Sequence, residues 1–125
     1  MNVHGSELVI AGMDDLWNRG SALLALKGTS QEDNVILLSH NPDVVMSLDP
    51  ERADWVFSGH THGGQIRLPF IGSVSELPTV LNRPYDRWLK EYGEQNLFIT
   101  QGIGESGPRA RLFCPPEIVV VDIKL

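Results

Sequence analysis

Three of the four histidines of this chain fall in two short strings. These are Leu37-Leu38-Ser39-His40-Asn41-Pro42-Asp43 and Val56-Phe57-Ser58-Gly59-His60-Thr61-His62-Gly63-Gly64-Gln65. Each string opens with apolar residues that read as a buried strand, and each delivers its histidines to the carboxyl end of that strand. Neutral imidazole is the commonest side-chain ligand of metals. In the second string two imidazoles stand one residue apart between glycines, whose access to positive φ lets a loop turn both rings toward one point. Three such rings can hold a divalent ion with a position left open. An ion so held lowers the pKa of bound water and polarises a phosphoryl oxygen, and a second ion ~3.5–4 Å away clamps both attacking and leaving oxygens. The plainer alternative is a hydrogen-bonded pair of surface histidines, with His40 satisfied by its neighbours at a strand end.

These histidines need elements to place them. Residues 7–13 read as a buried strand ending at Gly12. Asp14 and Asp15 follow, and capping the next turn is the preferred reading over facing a cleft. Residues 21–27 read as a short helix stopped by Gly28. The two histidine-bearing strands span residues 35–38 and 54–58, and between them Pro42 and Asp43 open a short helix that runs to Leu48. Residues 65–68 resume as a strand that Pro69 stops, and residues 71–82 read as irregular. Tyr85, Trp88 and Leu89 are spaced like one helical face, so a helical turn is expected over 87–91. Residues 96–100 form a strand. The glycine-rich stretch 102–108 lacks the spacing and following helix of a nucleotide-binding loop. Residues 109–113 and 117–124 are expected as the last two strands, the second rich in β-branched residues. The fold class is therefore α/β, mostly β sheet with one or two short helices. Residues 35–38 and 55–57 are apolar runs rather than alternations, which means burial on two faces. Two short helices cannot cover both, so one face is expected to carry a large apolar patch, with self-association or marginal folding as the result.

Composition narrows the field. The chain has 125 residues, a 42% apolar share and a formal charge of -6. That fits one globular domain or part of one. No basic stripe is present, so a nucleic-acid partner is not expected. The single cysteine, Cys114, reads as a small packing residue in a chain from a reducing compartment. No apolar run approaches the length of a membrane span, and residues 1–5 lack the charge and apolar core of a signal peptide. His4 stands outside the histidine strings and reads as a surface residue.

The string Gly59-His60-Thr61-His62-Gly63-Gly64-Gln65 resembles the last metal-binding motif of the calcineurin-like metallophosphoesterases, and residues 37–43 resemble the motif before it. The ending Pro115-Pro116-Glu117-Ile118 followed by valines is similar to one bacterial branch. That branch holds the YkuE-like phosphoesterases and a UDP-diacylglucosamine pyrophosphatase. The resemblance runs from about residue 7 to the end of the chain and covers the carboxyl-terminal half of a family member. It implies half of a four-layer αββα sandwich, with residues 1–125 as the carboxyl-terminal part of a single phosphoesterase domain. It implies two divalent metal ions per complete site, whether manganese, iron or zinc, with His40 and His60 on one ion and His62 on the other. Arg109 and Arg111 are candidates for a substrate phosphate, weighed equally against solvated strand arginines, and Asn41 beside His40 is a further substrate candidate. The family's D-x-H pair, its bridging GDxxD aspartate and its GNHD/E segment are not in this sequence, so no general-acid histidine is assigned. The expected function is hydrolysis of a phosphomonoester, a phosphodiester or a nucleotide-sugar pyrophosphate by a dinuclear centre. The substrate would be a phosphorylated small molecule or lipid-linked compound, in the cytoplasm or at the periphery of the cytoplasmic membrane. The alternative is a non-catalytic metal-binding fragment or subunit that needs an amino-terminal partner half.

Overall fold

Four strands lie side by side and parallel, so their carboxyl ends meet along one edge of a single sheet. They are β2 (Ser6–Gly12), β3 (Asn34–Leu38), β4 (Trp55–Ser58) and β8 (Gln95–Ile99). This computed structural model describes residues 1–3 and 5–124; the reading of His4 lies outside the described residues. The two sheet edges are antiparallel: β1 (Asn2–Val3) pairs with β2, and β7 (Trp88–Tyr92) pairs with β8, giving the order β1-β2-β3-β4-β8-β7. A separate two-stranded hairpin joins β5 (Arg67–Leu68) to β6 (Gly72–Ser73).

The sheet places its apolar runs on two faces. Ala11, Val35, Leu37, Val56, Leu97 and Ile99 point to one side and form the core with Ala22 and Leu26 of the helical segment and with Val44, Val45 and Leu48. The helical cover is thin: α1 (Ala22–Ala25) is one turn, capped by the Ser21 hydroxyl, and residues Pro42–Met46 form a 3-10 helix. The other face carries Ile10, Leu38 and Leu89, which are 51%, 45% and 58% exposed, beside an aromatic row of Trp55, Phe57 and Phe98. The open apolar face expected from the runs is therefore present. The architecture is α/β, a mixed sheet with few short helices, as half of a phosphoesterase sandwich would be.

Five sequence expectations are corrected. Residues 87–91 are not a helical turn; from Trp88 on they belong to β7, which turns into β8 through Gly93 and Glu94 with Tyr92 opposite Gln95. Gly93 has φ +60, and a glycine first in a two-residue loop is a hairpin signal that outweighs the helical spacing of Tyr85, Trp88 and Leu89. Residues 109–113 and 117–124 form no ladder. The first makes one isolated parallel bridge, Ile66 to Leu112. Pro108, Pro115 and Pro116 remove donors around these segments, and both sheet edges are already held by β1 and β7. The tail instead follows the open face and is fastened at Glu117. Its carboxylate accepts from Trp88 Nε1, Thr100 Oγ1 and the Gln101 N–H, and its own N–H donates to the Gly102 carbonyl. The strand expected over 65–68 is shortened to Arg67–Leu68, and β6 lies inside the stretch read as irregular.

Candidate metal centre

Parallel strands gather the loops that follow them, and sites in open α/β sheets sit at that edge. Here the loops after β2, β3, β4 and β8 carry Trp17, His40, His60 with His62, and Gly104 respectively. The loop after β4 is bound to the loop after β3 by the Gly59 N–H donating to the His40 carbonyl at 3.1 Å. It then runs through left-handed backbone at His60 (φ 69), His62 (φ 50), Gly63 (φ 62), Gly64 (φ 78) and Gln65 (φ 50). Such a run in non-glycine residues is strained and persists only where its surroundings fix it.

The surroundings do fix it. Thr61 is buried, and its hydroxyl donates to the Asp86 carbonyl at 2.6 Å while accepting from the Gly63 N–H. Gln65 is buried and bridges to the loop after β8 through Ser106 and Pro108. Arg67 donates to the Gly63 carbonyl at 2.8 Å and pairs with Asp86. A Cβ on Gly63 would lie 2.7 Å from Gln101 Cβ, and one on Gly64 would lie 2.4 Å from Ser73 Cβ and Oγ, so both positions exclude a side chain. Cys114 packs beneath, 1% exposed, with Sγ against the carbonyls of His62 and Gly63.

His40 and His60 meet directly: His60 Nδ1 is 3.0 Å from His40 Nε2, with the rings at 72°. Without a metal, one of these nitrogens donates and the other accepts. With that proton gone, two bare nitrogens face each other. Two ligands with ~2.1 Å bonds at right angles around one ion lie about 3 Å apart, so the pair fits a shared divalent ion. The His60 ring is half-buried, and its Nε2, the nitrogen not facing His40, is a buried atom with no hydrogen-bond partner. Burial, and after it the His40 ring, hold His60 below the usual imidazole pKa and keep it neutral, the form that binds metal. Trp17 stands edge-on to His60, with ring centroids 4.7 Å apart.

The third ring turns elsewhere. His62 Nδ1 lies 3.1 Å from the Gly104 carbonyl. Among the described residues no group of three or more His, Cys, Asp or Glu is arranged around one point. His40, His60 and His62 nevertheless line one cleft of about 690 Å3, within the ~300–1,000 Å3 range of small-molecule sites.

The substrate candidates separate. Asn41 is 1% exposed, and its Oδ1 accepts from the Asp43 N–H at 2.9 Å, so it caps the 3-10 helix and is not free for a phosphate. Arg111 is turned inward onto main-chain carbonyls and does not face the cleft as a phosphate ligand would. Arg109 is exposed on the loop. Asp15 accepts from the Trp17 N–H at 2.7 Å, the cap expected of it. Sequence reasoning missed Trp17, Thr61 and the Arg67–Asp86 pair. Thr61 could have been found, since a hydroxyl residue between two loop histidines is a capping signal. The Arg67–Asp86 pair spans 19 residues and leaves no local signal.

Comparison with known proteins settles the family. The chain is 32% identical over 121 residues to an uncharacterised metallophosphoesterase, YkuE, of Bacillus subtilis, covering 96% of this chain and 42% of that protein. It is 33% identical over 116 residues to the phosphodiesterase YaeI of Escherichia coli, covering 91% of this chain and 40% of that one. The chain belongs to the metallophosphoesterases. A further relative, the UDP-2,3-diacylglucosamine pyrophosphatase LpxG of Chlamydia muridarum, is 38% identical over 92 residues, 69% of this chain and 28% of that protein. The chain spans less than half the length of each of these relatives. No family model and no solved structure matches it.

Proposed function

We propose that this chain supplies the histidine side of a divalent-metal centre that hydrolyses a phosphoester. The observation that carries the reading is the His40–His60 pair, two imidazole nitrogens 3.0 Å apart at the carboxyl edge of a parallel sheet. His40 and His60 would hold one ion, and His62, in the same cleft, would serve a second. Bound there, the metal would polarise a phosphoryl oxygen and lower the pKa of a water. The chain's own residues do the rest. Gly63 and Gly64 let the loop fold back without side-chain clash, Thr61 and Gln65 hold it, and Trp17 shields one edge of His60 from water. Exposed Arg109 is the remaining side chain of the sequence reading for a substrate phosphate.

Relatives include a phosphodiesterase and a UDP-2,3-diacylglucosamine pyrophosphatase, which favours a phosphodiester or a nucleotide-sugar pyrophosphate as the substrate class of the whole enzyme. A bridging carboxylate of the family kind is not in this sequence, so a complete site needs residues beyond these. Manganese titration followed by electron paramagnetic resonance, paired with bis-p-nitrophenyl phosphate hydrolysis, tests the reading. Expected are manganese binding that His60→Ala removes and weak turnover by this chain. Binding unaffected by loss of both His40 and His60 would overturn it.

A further inference from the structure

We propose that Arg111 is a positioning residue for His62: by gripping the Gly104 carbonyl it holds the His62 ring in the Nδ1–H tautomer and leaves Nε2 bare for a divalent metal ion. Arg111 is half-buried and its guanidinium faces five main-chain carbonyls. Nη1 donates to His62 at 3.3 Å and Cys114 at 3.1 Å. Nη2 donates to Gln101 at 2.8 Å, Gly102 at 3.2 Å and Gly104 at 2.6 Å. Two of these five bracket His62. One is the carbonyl of His62 itself. The other, on Gly104, also lies 3.1 Å from the His62 ring nitrogen Nδ1.

A carbonyl oxygen carries no hydrogen, so a hydrogen bond between it and Nδ1 requires Nδ1 to donate. The proton is then on Nδ1 and the lone pair on Nε2. Metal-binding histidines are commonly oriented this way, by giving the second ring N–H to a carbonyl or carboxylate. The shortest bond of the Arg111 fork pins the carbonyl that makes the choice. The loop it belongs to has no regular secondary structure and passes through positive φ at Gly102 and Gly107, so the carbonyl needs an anchor. The loop also packs on the ring, since a Cβ on Gly104 would meet His62 Cε1 at 3.7 Å. The four Nη hydrogens serve these five carbonyls, so one hydrogen is shared, while the buried Nε–H has no partner; the lysine ammonium is a point charge with three donors and cannot span the same set.

The inference rests on the metal reading for the use of Nε2, but the tautomer does not, and it is read without metal. Long-range 1H–15N spectra of the metal-free full chain at pH 8, with His62→Gln for assignment, test it. His62 is expected to show Nδ1 as the protonated nitrogen and Nε2 as the bare one. In Arg111→Met and Arg111→Lys the two shifts should move toward a common average, and manganese affinity at His62 should fall ~10-fold or more. Protonation of wild-type His62 on Nε2 would overturn the proposal, as would a folded Arg111 variant with the wild-type tautomer. If neither variant folds, the wild-type spectrum decides, together with the Arg111 Nη protons: separate, slowly exchanging resonances support the clamp and freely rotating ones refute it. A fixed Nδ1–H tautomer without any ion binding would remove the metal reading and leave the clamp standing.

Discussion

Alanine at Gly64 should be among the most damaging single changes near the site. Gly64 has φ +78, and a Cβ there would lie 2.4 Å from both Cβ and Oγ of Ser73, which is 1% exposed. Left-handed backbone costs a non-glycine residue ~1–2 kcal/mol. Forcing an extra carbon against a packed side chain adds ~1–3 kcal/mol. Gly64→Ala should therefore lose about 2–5 kcal/mol, a large part of the ~5–15 kcal/mol that holds an ordinary domain. Gly93 separates the two contributions. It has φ +60, but nothing lies within 4 Å of its Cβ position, so Gly93→Ala should lose only the backbone share, ~1–2 kcal/mol. Adding Ser73→Gly to Gly64→Ala removes the obstructing atoms and should restore part of the loss. Urea unfolding followed by tryptophan fluorescence measures all of these. Gly64→Ala no worse than Gly93→Ala would show that the β4 loop and the β5–β6 hairpin do not meet as described.

Four further outcomes follow. Asp86→Ala leaves Arg67 without its partner in a pair whose side chains are 13% and 10% exposed, and should cost ~3–5 kcal/mol, part of it recovered by adding Arg67→Met. Asn41→Ala should cost ~1 kcal/mol as a lost cap and leave inhibition by inorganic phosphate unchanged; a large change in that inhibition would return Asn41 to the substrate. His60 has a folded-state pKa below 6.5, so the unfolded chain takes up the proton first as pH falls. The contribution of neutral His60 is complete above pH 6.5 and is lost as pH drops toward the folded pKa; urea melts across that range should slope less steeply in His60→Gln, and equal slopes would contradict the burial. Ile10, Leu38 and Leu89 leave one sheet face open, so sedimentation should detect self-association that Leu89→Lys reduces, whereas a monodisperse monomer would mean the tail covers that face fully.

The parallel strands were legible because residues 35–38 and 55–57 are short unbroken apolar runs, each followed at once by polar loop residues. His40 and His60 were legible for the same reason: a strand end fixes where the next side chain goes. His62 lines the same cleft as His40 and His60, but its ring orientation depends on the Gly104 carbonyl, 42 residues away, which no local pattern records. The contacts of Arg111 were illegible in the same sense, since its partners are main-chain carbonyls and carry no side-chain signature. The tail was read as a strand from its valines, yet β propensity describes a fit to a half-buried pleated surface and supplies no neighbouring edge. Here the edges belong to β1 and to β7, and the β7 hairpin was hidden by aromatic spacing that mimics a helix.

The central claim is that His40 and His60 share a divalent ion, and anomalous scattering at the manganese edge tests it most directly. Crystals of the full chain grown with manganese should give an anomalous peak between His40 Nε2 and His60 Nδ1, lost in His60→Ala. Saturating manganese with no peak there, and the two nitrogens still hydrogen-bonded to each other, would contradict it.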